Sequence, residues 1–225
     1  PRIIEEAFRE KLFNVKDDKN ITYNGLQIIN RQVIIEYIKR LLAIDQKLTP
    51  FSILGLEKPI EMPFDINTQE GLKPISLFGN IDRIDKIDEN GNPCIRVVDY
   101  KTGSNDKTSI KNVDDIFNPE KIESHSDYYL QALLYSIMLC NNRNLNPNHL
   151  PVSPALLFIQ HATGDDYTPI LKFGKDIITD VSIYTEDFLN KLKELIEDIF
   201  NPDIAFNSTE NTKRCQYCPY REICG

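Results

Sequence analysis

The chain has 225 residues, 41% of them hydrophobic and 27% charged, which suffices for one large domain with a substantial core. No apolar run approaches the roughly 20 residues that a bilayer-spanning helix needs, and no N-terminal signal pattern is present, so we expect a cytoplasmic protein without a membrane partner. The net charge of -8 argues against a non-specific nucleic-acid binder with a basic face, although cations bound at a metal-dependent site would offset that acidity.

The first half of the chain changes from helical to strand-like spacing near residue 50. Apolar residues recur at helical spacing in two early segments and alternate or cluster as in strands in three later ones. The run 89–92 carries an Asn-Gly pair, which is typical of a hairpin turn. These patterns predict helices over 1–13 and 28–44 and strands over 51–61, 75–87 and 94–100.

The second half returns to a mixture of helices and strands. The polar stretch 103–125 predicts a long loop. Ser126 and Thr185 precede helical patterns and are suitable helix caps. The patterns beyond the loop predict helices over 127–140 and 186–200 and strands over 155–161 and 168–173. The order of elements predicts a single mixed α/β domain.

Two carboxylates and a lysine are expected to meet within segment 79–103. Residues two apart on a strand point to the same side, so Asp99 and Lys101 share a face. The hairpin turn folds the strand that carries Asp82 back beside them. Carboxylate oxygens suit Mg²⁺, and the backbone carbonyl of Tyr100 is a further candidate ligand. A metal there would neutralise a phosphate and activate water, with the lysine orienting that water.

The Asp-x-Lys pattern alone has low specificity. Two other copies, Asp17/Lys19 and Asp45/Lys47, lie in segments where solvated charge explains them. Only Asp99 and Lys101 end an apolar strand, with a second acid one hairpin upstream. An edge-strand salt bridge with an extended lysine stem is the alternative interpretation.

The motif GxxDRxD, followed by a strand ending in VVDYKTG, resembles the RecB/AddB-type branch of the PD-(D/E)xK nuclease superfamily. The resemblance implies a restriction-endonuclease-like α/β fold, in which helices flank a central mixed β-sheet. It also implies a division into an N-terminal helical part (1–50), a nuclease core (51–205) and a cysteine-containing tail (206–225).

The resemblance assigns roles to the three residues of the constellation and to one more acid. Asp82 matches the first metal-binding aspartate, Asp99 the second acid and Lys101 the catalytic lysine. Glu57 matches an acid that often lies near the metal, with a surface charge beside Lys58 as the alternative.

Three further residues are assigned roles in the site or in DNA binding. Gln131 and Tyr135 match a Q-x3-Y helix motif and share a helix face at i and i+4, where they are expected to contact DNA or the catalytic groups. A half-buried helix face is the alternative. Arg83 is a candidate phosphate contact, or else pairs with an acid.

One expected feature is absent. Many members of this branch carry a metal-binding histidine on a helix ahead of the acid strand, whereas His125, His149 and His161 all follow the motif. We expect such a histidine either to lie before Pro1, in a longer parent protein, or to be lacking.

The tail presents three cysteines, Cys215, Cys218 and Cys224, at C-x2-C-x5-C spacing. Three cysteines at this spacing can converge on one metal, and four thiolates would suit zinc or an iron–sulfur cluster. A zinc knuckle or a disordered tail is the alternative interpretation. The resemblance implies three ligands of a [4Fe-4S] cluster whose fourth cysteine lies upstream, so we expect the cluster in an intact parent and not in this chain alone. Cys94 and Cys140 stand in apolar segments and are expected to be reduced core residues.

The function expected from the resemblance is Mg²⁺- or Mn²⁺-dependent DNA hydrolysis, by an exonuclease tied to a helicase in bacterial double-strand break repair. No GxxxxGK[ST] loop occurs, so an ATP-driven motor would belong to the parent or to a partner. Two alternatives remain. One is an inactive nuclease fold that binds DNA or a helicase, and the other is a metal-stapled scaffold.

Overall fold

A computed structural model of the chain describes residues 2–14, 22–89, 91–103, 110–160, 167–207, 215–216 and 218–224, without the side chains of Glu89 and Cys224. The α-helices are α1 (Arg2–Ala7), α2 (Gly25–Leu48), α3 (Val113–Phe117), α4 (Ser126–Cys140), α5 (Thr185–Phe200) and α6 (Arg221–Cys224). A π-helical turn follows α1 at Phe8–Leu12, and 3-10 turns lie at Pro119–Ser124 and Val181–Tyr184. The strands are β1 (Phe51–Thr68), β2 (Gly71–Glu89), β3 (Asn92–Lys101), β4 (Val152–Phe158), β5 (Lys172–Phe173) and β6 (Asp176–Ile177).

A four-stranded mixed sheet in the order β1-β2-β3-β4 forms the centre of the fold. β1, β2 and β3 are antiparallel neighbours, as predicted for a meander. β4 returns parallel to β3 after a crossover that contains α4. β5 and β6 form a separate two-stranded sheet. The predicted α/β class is therefore confirmed.

β3 is the buried central strand because helices cover both faces of the sheet. Its side chains from Cys94 to Asp99 are all buried, which explains the nearly continuous apolar run in its sequence. On one face, Ile95 and Val97 pack in a cluster with residues of α4, α3 and α5. On the other face, Val98 packs with β4 residues against Ile44 of α2.

Local sequence signals account for where α2 begins and where the β2–β3 hairpin turns. The Asn24 side chain accepts a hydrogen bond from the Gln27 amide at 2.9 Å, and the Gln27 side chain accepts one from the Asn24 amide at 2.9 Å, which is a capping box. In the hairpin turn, Gly91 adopts φ +86° and donates its amide to Asp88. The hairpin prediction is confirmed for its described residues.

Several predicted boundaries were wrong. The segment 103–125 is not one long loop, because Ile110, Val113 and Ile116 are buried and carry α3 and a 3-10 turn against α4. β1 and β2 extend well beyond their predicted ends into a long hairpin. In β1, Met62, Phe64 and Ile66 alternate with Pro63, Asp65 and Asn67, and Ile66 is buried, so the strand-like pattern continues past residue 61. Residues 168–173 form only a bridge at Ile170 and the short β5.

Smaller differences concern the helix starts and the chain's relation to membranes. Ser126 and Thr185 are the first residues of α4 and α5, not their caps. Within the described ranges, no helix combines the length and the apolarity required to cross a bilayer.

Candidate active site at the end of strand β3

The sheet opens between β2 and β3 before β3 ends. The β2–β3 ladder stops at the pair Arg83–Val98, whereas the β3–β4 ladder continues to Lys101–Phe158. The last three residues of β3 therefore keep β4 as a neighbour but have no ladder partner on β2. We call this gap the strand opening, and it is where the predicted site residues lie.

Asp82 occupies the strand opening from the β2 side. Its Oδ2 accepts a hydrogen bond from the Tyr100 backbone amide at 2.9 Å, so a carboxylate takes the place of a ladder carbonyl. The alternation of β2 side chains between the two faces of the sheet is broken here. Ile81 and Ile84 are three residues apart, yet both pack in the core on the α4 side. This irregularity lets the Asp82 side chain point across the gap towards β3.

Asp99 and Lys101 contact each other on the face of β3 that looks towards α4. Asp99 Oδ2 lies 2.7 Å from Lys101 Nζ, which confirms that the two side chains share a face. Asp99 is only 4% exposed. Burial raises the pKa of Asp99, Lys101 acts to lower it, and the negative charge of Asp82 raises it further. The net direction is upward, so burial and Asp82 outweigh the stabilisation that Lys101 gives the charged carboxylate.

The oxygen atoms at the strand opening suit a hard divalent cation. Asp99 Oδ2 is buried, and the Lys101 ammonium lies 2.7 Å from it. A buried carboxylate with a second one, Asp82, close enough to raise its pKa is a donor set that Mg²⁺ or Mn²⁺ would accept. Three acidic, histidine or cysteine side chains do not converge anywhere in the described part of the chain. Further ligands would have to be backbone oxygen, water or substrate.

Lys101 is also held by the α4 residues that sequence reasoning selected. Its Nζ donates to Gln131 Oε1 at 2.9 Å, and Gln131 Nε2 donates to the Tyr135 hydroxyl at 3.4 Å. The structure therefore connects Gln131 and Tyr135 to Lys101 in one hydrogen-bonded row. The amide of Gln131 is oriented by having a donor on one side and an acceptor on the other.

Gly79, the first residue of the GxxDRxD motif, allows that row to form. A Cβ at this position would lie 2.2 Å from a ring carbon of Tyr135, so only glycine permits the ring to approach β2 so closely. Sequence reasoning used Gly79 as part of a motif without finding this role. Its partner in space, Tyr135, is 56 positions along the chain, and no local pattern connects the two.

Two aromatic residues at the start of α4 were also missed. The Tyr128 ring centroid lies 4.5 Å from Lys101 Nζ, and the His125 and Tyr128 rings stack at 4.6 Å with an interplanar angle of 13°. Tyr128 and Gln131 are three residues apart on one helix face, which is a spacing that sequence alone offers as a signal.

Glu57 does not join the carboxylates in the strand opening. Its neighbours pair as Leu56–Arg83 and Lys58–Ile81, which places Glu57 across from Asp82. However, Glu57 adopts φ +48°, is exposed, and accepts a hydrogen bond from the Asn80 side chain at 2.6 Å. Glu57 would approach a metal at the site only if its side chain gave up the hydrogen bond to Asn80.

Arg83 is buried behind the strand opening and pairs with acids, as the second of its two interpretations has it. Its side chain is 2% exposed and makes 2.8 Å hydrogen bonds to both carboxylate oxygens of Asp85. It also donates to Asp45 of α2 and to the Tyr100 hydroxyl, each at 2.9 Å. In this conformation Arg83 has no exposed group with which to contact a phosphate, so its predicted role in DNA binding is replaced by an internal one.

The surroundings of Arg83 form a charge-balanced cluster of two cations and two anions. Arg96 donates to Asp85 at 2.9 Å, and the Phe51 ring lies 4.8 Å from the Arg83 guanidinium and 5.5 Å from that of Arg96. Burial alone lowers the pKa of Arg83, but Asp85, Tyr100 and Asp45 more than offset this and raise it above its ordinary value. Through Arg83, the cluster connects Asp45 of α2 with Tyr100, which lies between Asp99 and Lys101.

The cysteine and histidine predictions are only partly covered by the described residues. Cys215 and Cys218 carry partly buried thiols that form no disulfide, and the Cys218 backbone N–H donates to the Cys215 carbonyl at 3.2 Å. The side chain of Cys224 lies outside the described part of the chain. Convergence of the three thiols stays a prediction. Cys94 is buried as expected and Cys140 is partly buried. His161 also lies outside the described residues.

Comparison with known proteins agrees with this geometry. The family model of the PD-(D/E)XK nuclease superfamily matches residues 1–225. The chain is 29% identical over 215 residues to a subunit of the ATP-dependent helicase/deoxyribonuclease of Clostridium acetobutylicum. It is 30% identical over 164 residues to the subunit of the same name from Carboxydothermus hydrogenoformans.

These relatives are much longer proteins. The first match covers 87% of this chain but only 16% of the Clostridium acetobutylicum protein, and the second covers 69% of this chain and 14% of its relative. The chain thus corresponds to a small part of each. The predicted resemblance and the restriction-endonuclease-like α/β fold are both confirmed.

Proposed function

The chain belongs to the PD-(D/E)XK nuclease superfamily, and from that membership we propose that it hydrolyses DNA phosphodiester bonds with Mg²⁺ or Mn²⁺ as an exonuclease. The observation that carries the proposal is the meeting of Asp82, Asp99 and Lys101 in the strand opening, where Lys101 Nζ lies 2.7 Å from a buried oxygen of Asp99.

The two carboxylates would hold the metal, with the Tyr100 carbonyl as a further candidate ligand. When bound, the divalent ion would neutralise the scissile phosphate and make water a better nucleophile. Asp82 is already fixed by the Tyr100 amide, and Asp99 is fixed by burial in the central strand. Both are therefore preorganised, which limits the reorganisation needed when metal and substrate arrive.

Lys101 would act on the attacking water and the phosphate. Its ammonium carries three donors, of which the geometry assigns one to Gln131 and directs one at Asp99. The remaining donor, or the one released when a metal takes Asp99, would bind a phosphate oxygen or orient the water. The water oxygen bonds to phosphorus as the bond to the leaving nucleotide oxygen breaks; the water gives up a proton to solvent, and the leaving oxygen takes a proton from solvent to become a hydroxyl.

Gln131 and Tyr135 would position Lys101 rather than contact the reacting atoms first. The 2.9 Å bond from Lys101 to Gln131 keeps the ammonium at the end of β3 instead of extended into solvent. Loss of Gln131 should therefore lower the turnover rate more than it weakens DNA binding.

The biological setting proposed is a helicase-associated DNA repair or recombination assembly in the cytoplasm. The support is that both relatives are named as parts of an ATP-dependent helicase/deoxyribonuclease. A helicase domain or subunit is accordingly the proposed partner. The tail cysteines Cys215, Cys218 and Cys224 are proposed as three ligands of a [4Fe-4S] cluster in a longer parent. Iron and sulfide analysis of such a protein and its Cys218→Ser variant tests this.

An inactive nuclease fold that binds DNA or a helicase is the second candidate. The engagement of Glu57 with Asn80 and the net charge of -8 favour it. It predicts that DNA or helicase binding survives changes to Lys101 and that no cleavage occurs with any metal.

Cleavage of end-labelled linear DNA in Mg²⁺, Mn²⁺ or EDTA separates the two candidates. We expect metal-dependent degradation by the wild type, loss of it in Lys101→Met, and wild-type rates in the control Lys175→Met, which alters an exposed lysine. Covalently closed single-stranded circles should resist an exonuclease. Equal activity of wild type and Lys101→Met would contradict the proposal.

A further inference from the structure

The start of α4 carries a stacked aromatic pair beside the candidate active site. The rings of His125 and Tyr128 lie 4.6 Å apart and nearly parallel, at 13°. Both side chains are partly exposed. Parallel offset rings are one of the preferred geometries of aromatic pairs, and nucleobases stack on aromatic side chains in the same way.

The pair is connected to Lys101 through Tyr128. The Lys101 ammonium lies 4.5 Å from the Tyr128 ring centroid, within the range of a cation–π contact. Tyr128 therefore contacts both the proposed catalytic lysine and His125. Since a nucleotide carries its base only a few ångströms from its phosphate, a phosphate at Lys101 would bring a neighbouring base to this pair.

His125 lies at the junction between the 3-10 turn Pro119–Ser124 and α4. It adopts φ +59°, a left-handed conformation that histidine, asparagine and aspartate adopt more often than most residues, and its backbone N–H donates to the Ile122 carbonyl as the C-cap of that turn. It also holds the N-cap position of α4 without a side-chain capping hydrogen bond to any described residue. The imidazole is therefore not used for capping, and its ring stacks on Tyr128 instead.

We propose that His125 and Tyr128 form a stacking platform for the nucleobase beside the scissile phosphate. The proposal rests on the proposed nuclease function and adds a substrate contact to it. Stacking tolerates every base because each has a π face, so the platform would be indifferent to sequence. The base must be unpaired to reach the rings, so the platform would receive a nucleotide that has left the duplex.

The test measures how cleavage depends on a single missing base. Oligothymidylates carrying one abasic residue at successive positions are cleaved in Mn²⁺ by the wild type, His125→Asn and His125→Phe, and kcat/KM is compared with that for intact oligothymidylate. Asparagine tolerates the left-handed conformation but removes the ring, whereas phenylalanine keeps a ring. Thermal unfolding of each variant shows whether the fold is retained, and we expect His125→Asn to be at least as stable as the wild type.

We expect the wild type to lose about 5- to 150-fold in kcat/KM when the abasic residue lies next to the cleaved bond, as for the loss of one stacked base. His125→Asn should lose most of this discrimination while cleaving the abasic substrate at the wild-type rate, and His125→Phe should keep the discrimination. Full discrimination by His125→Asn would overturn the platform and leave the nuclease function standing. Absence of cleavage by the wild type would overturn both.

Discussion

Replacing Arg83 by methionine tests whether the buried charge cluster supports the fold around the site. The substitution keeps the apolar stem but removes hydrogen bonds to Asp85, Asp45 and Tyr100. Asp85 is completely buried and would retain only Arg96 as a charged partner, whereas Asp45 is 21% exposed and can turn towards water. Removing one partner of a buried ion pair costs about 3–5 kcal/mol. Because Asp85 keeps Arg96 as a partner, we expect a cost near the lower value.

The assay is urea denaturation followed by far-ultraviolet circular dichroism, because the chain contains no tryptophan to report by fluorescence. We expect Arg83→Met to lower the free energy of unfolding by about 3 kcal/mol, and the melting temperature by about 6–12 °C for a chain of this size. Arg83→Lys keeps the positive charge but not the planar guanidinium with its several donors, and should lower the free energy of unfolding by about half as much. The exposed Arg143→Met is the control and should change stability by less than about 0.5 kcal/mol. Wild-type stability of Arg83→Met would refute the structural role assigned to the cluster.

Three further predictions concern the immediate surroundings of the site. Gly79→Ala should destabilise the fold by about 1–3 kcal/mol in the same denaturation assay, because the added Cβ would lie 2.2 Å from Tyr135; a neutral result would contradict that packing. Tyr135→Phe keeps the ring and loses only a 3.4 Å hydrogen bond, so we expect unchanged stability and a less than tenfold lower cleavage rate. The pKa of Asp99 is raised on folding, so its ionisation opposes folding at neutral pH. Without metal, Asp99→Asn should therefore be more stable than the wild type at pH 7, and melting curves should show this gap closing as pH falls towards the ordinary pKa of 3.8. A gap that is constant with pH would exclude this linkage.

Sequence patterns were sufficient where a local rule determines the structure. The apolar run before Asp99 required a strand, the Asn-Gly pair required a turn, and together they placed Asp82 beside Asp99. The i, i+4 spacing of Gln131 and Tyr135 put both on one helix face, and the structure connects that face to Lys101.

The remainder depends on contacts between residues far apart in the sequence. Arg83 is held inside the protein by Asp85, two residues on, but also by Asp45, 38 positions earlier on α2, and by Tyr100, and these two partners are not close in sequence. The slip in alternation at Asp82 follows from the way that β2 separates from β3, and strand periodicity does not contain it. The turn of Glu57 towards Asn80 depends on a left-handed backbone conformation that its residue type does not favour.

A titration with Mn²⁺, following the free ion by electron paramagnetic resonance, tests most directly whether Asp82 and Asp99 share one metal. We expect the wild type to bind Mn²⁺, Asp82→Asn and Asp99→Asn each to lose that binding, and Lys101→Met to retain it, because the lysine is proposed to act on water and phosphate rather than on the ion. Unchanged Mn²⁺ affinity in both asparagine variants would contradict a shared metal site in the strand opening.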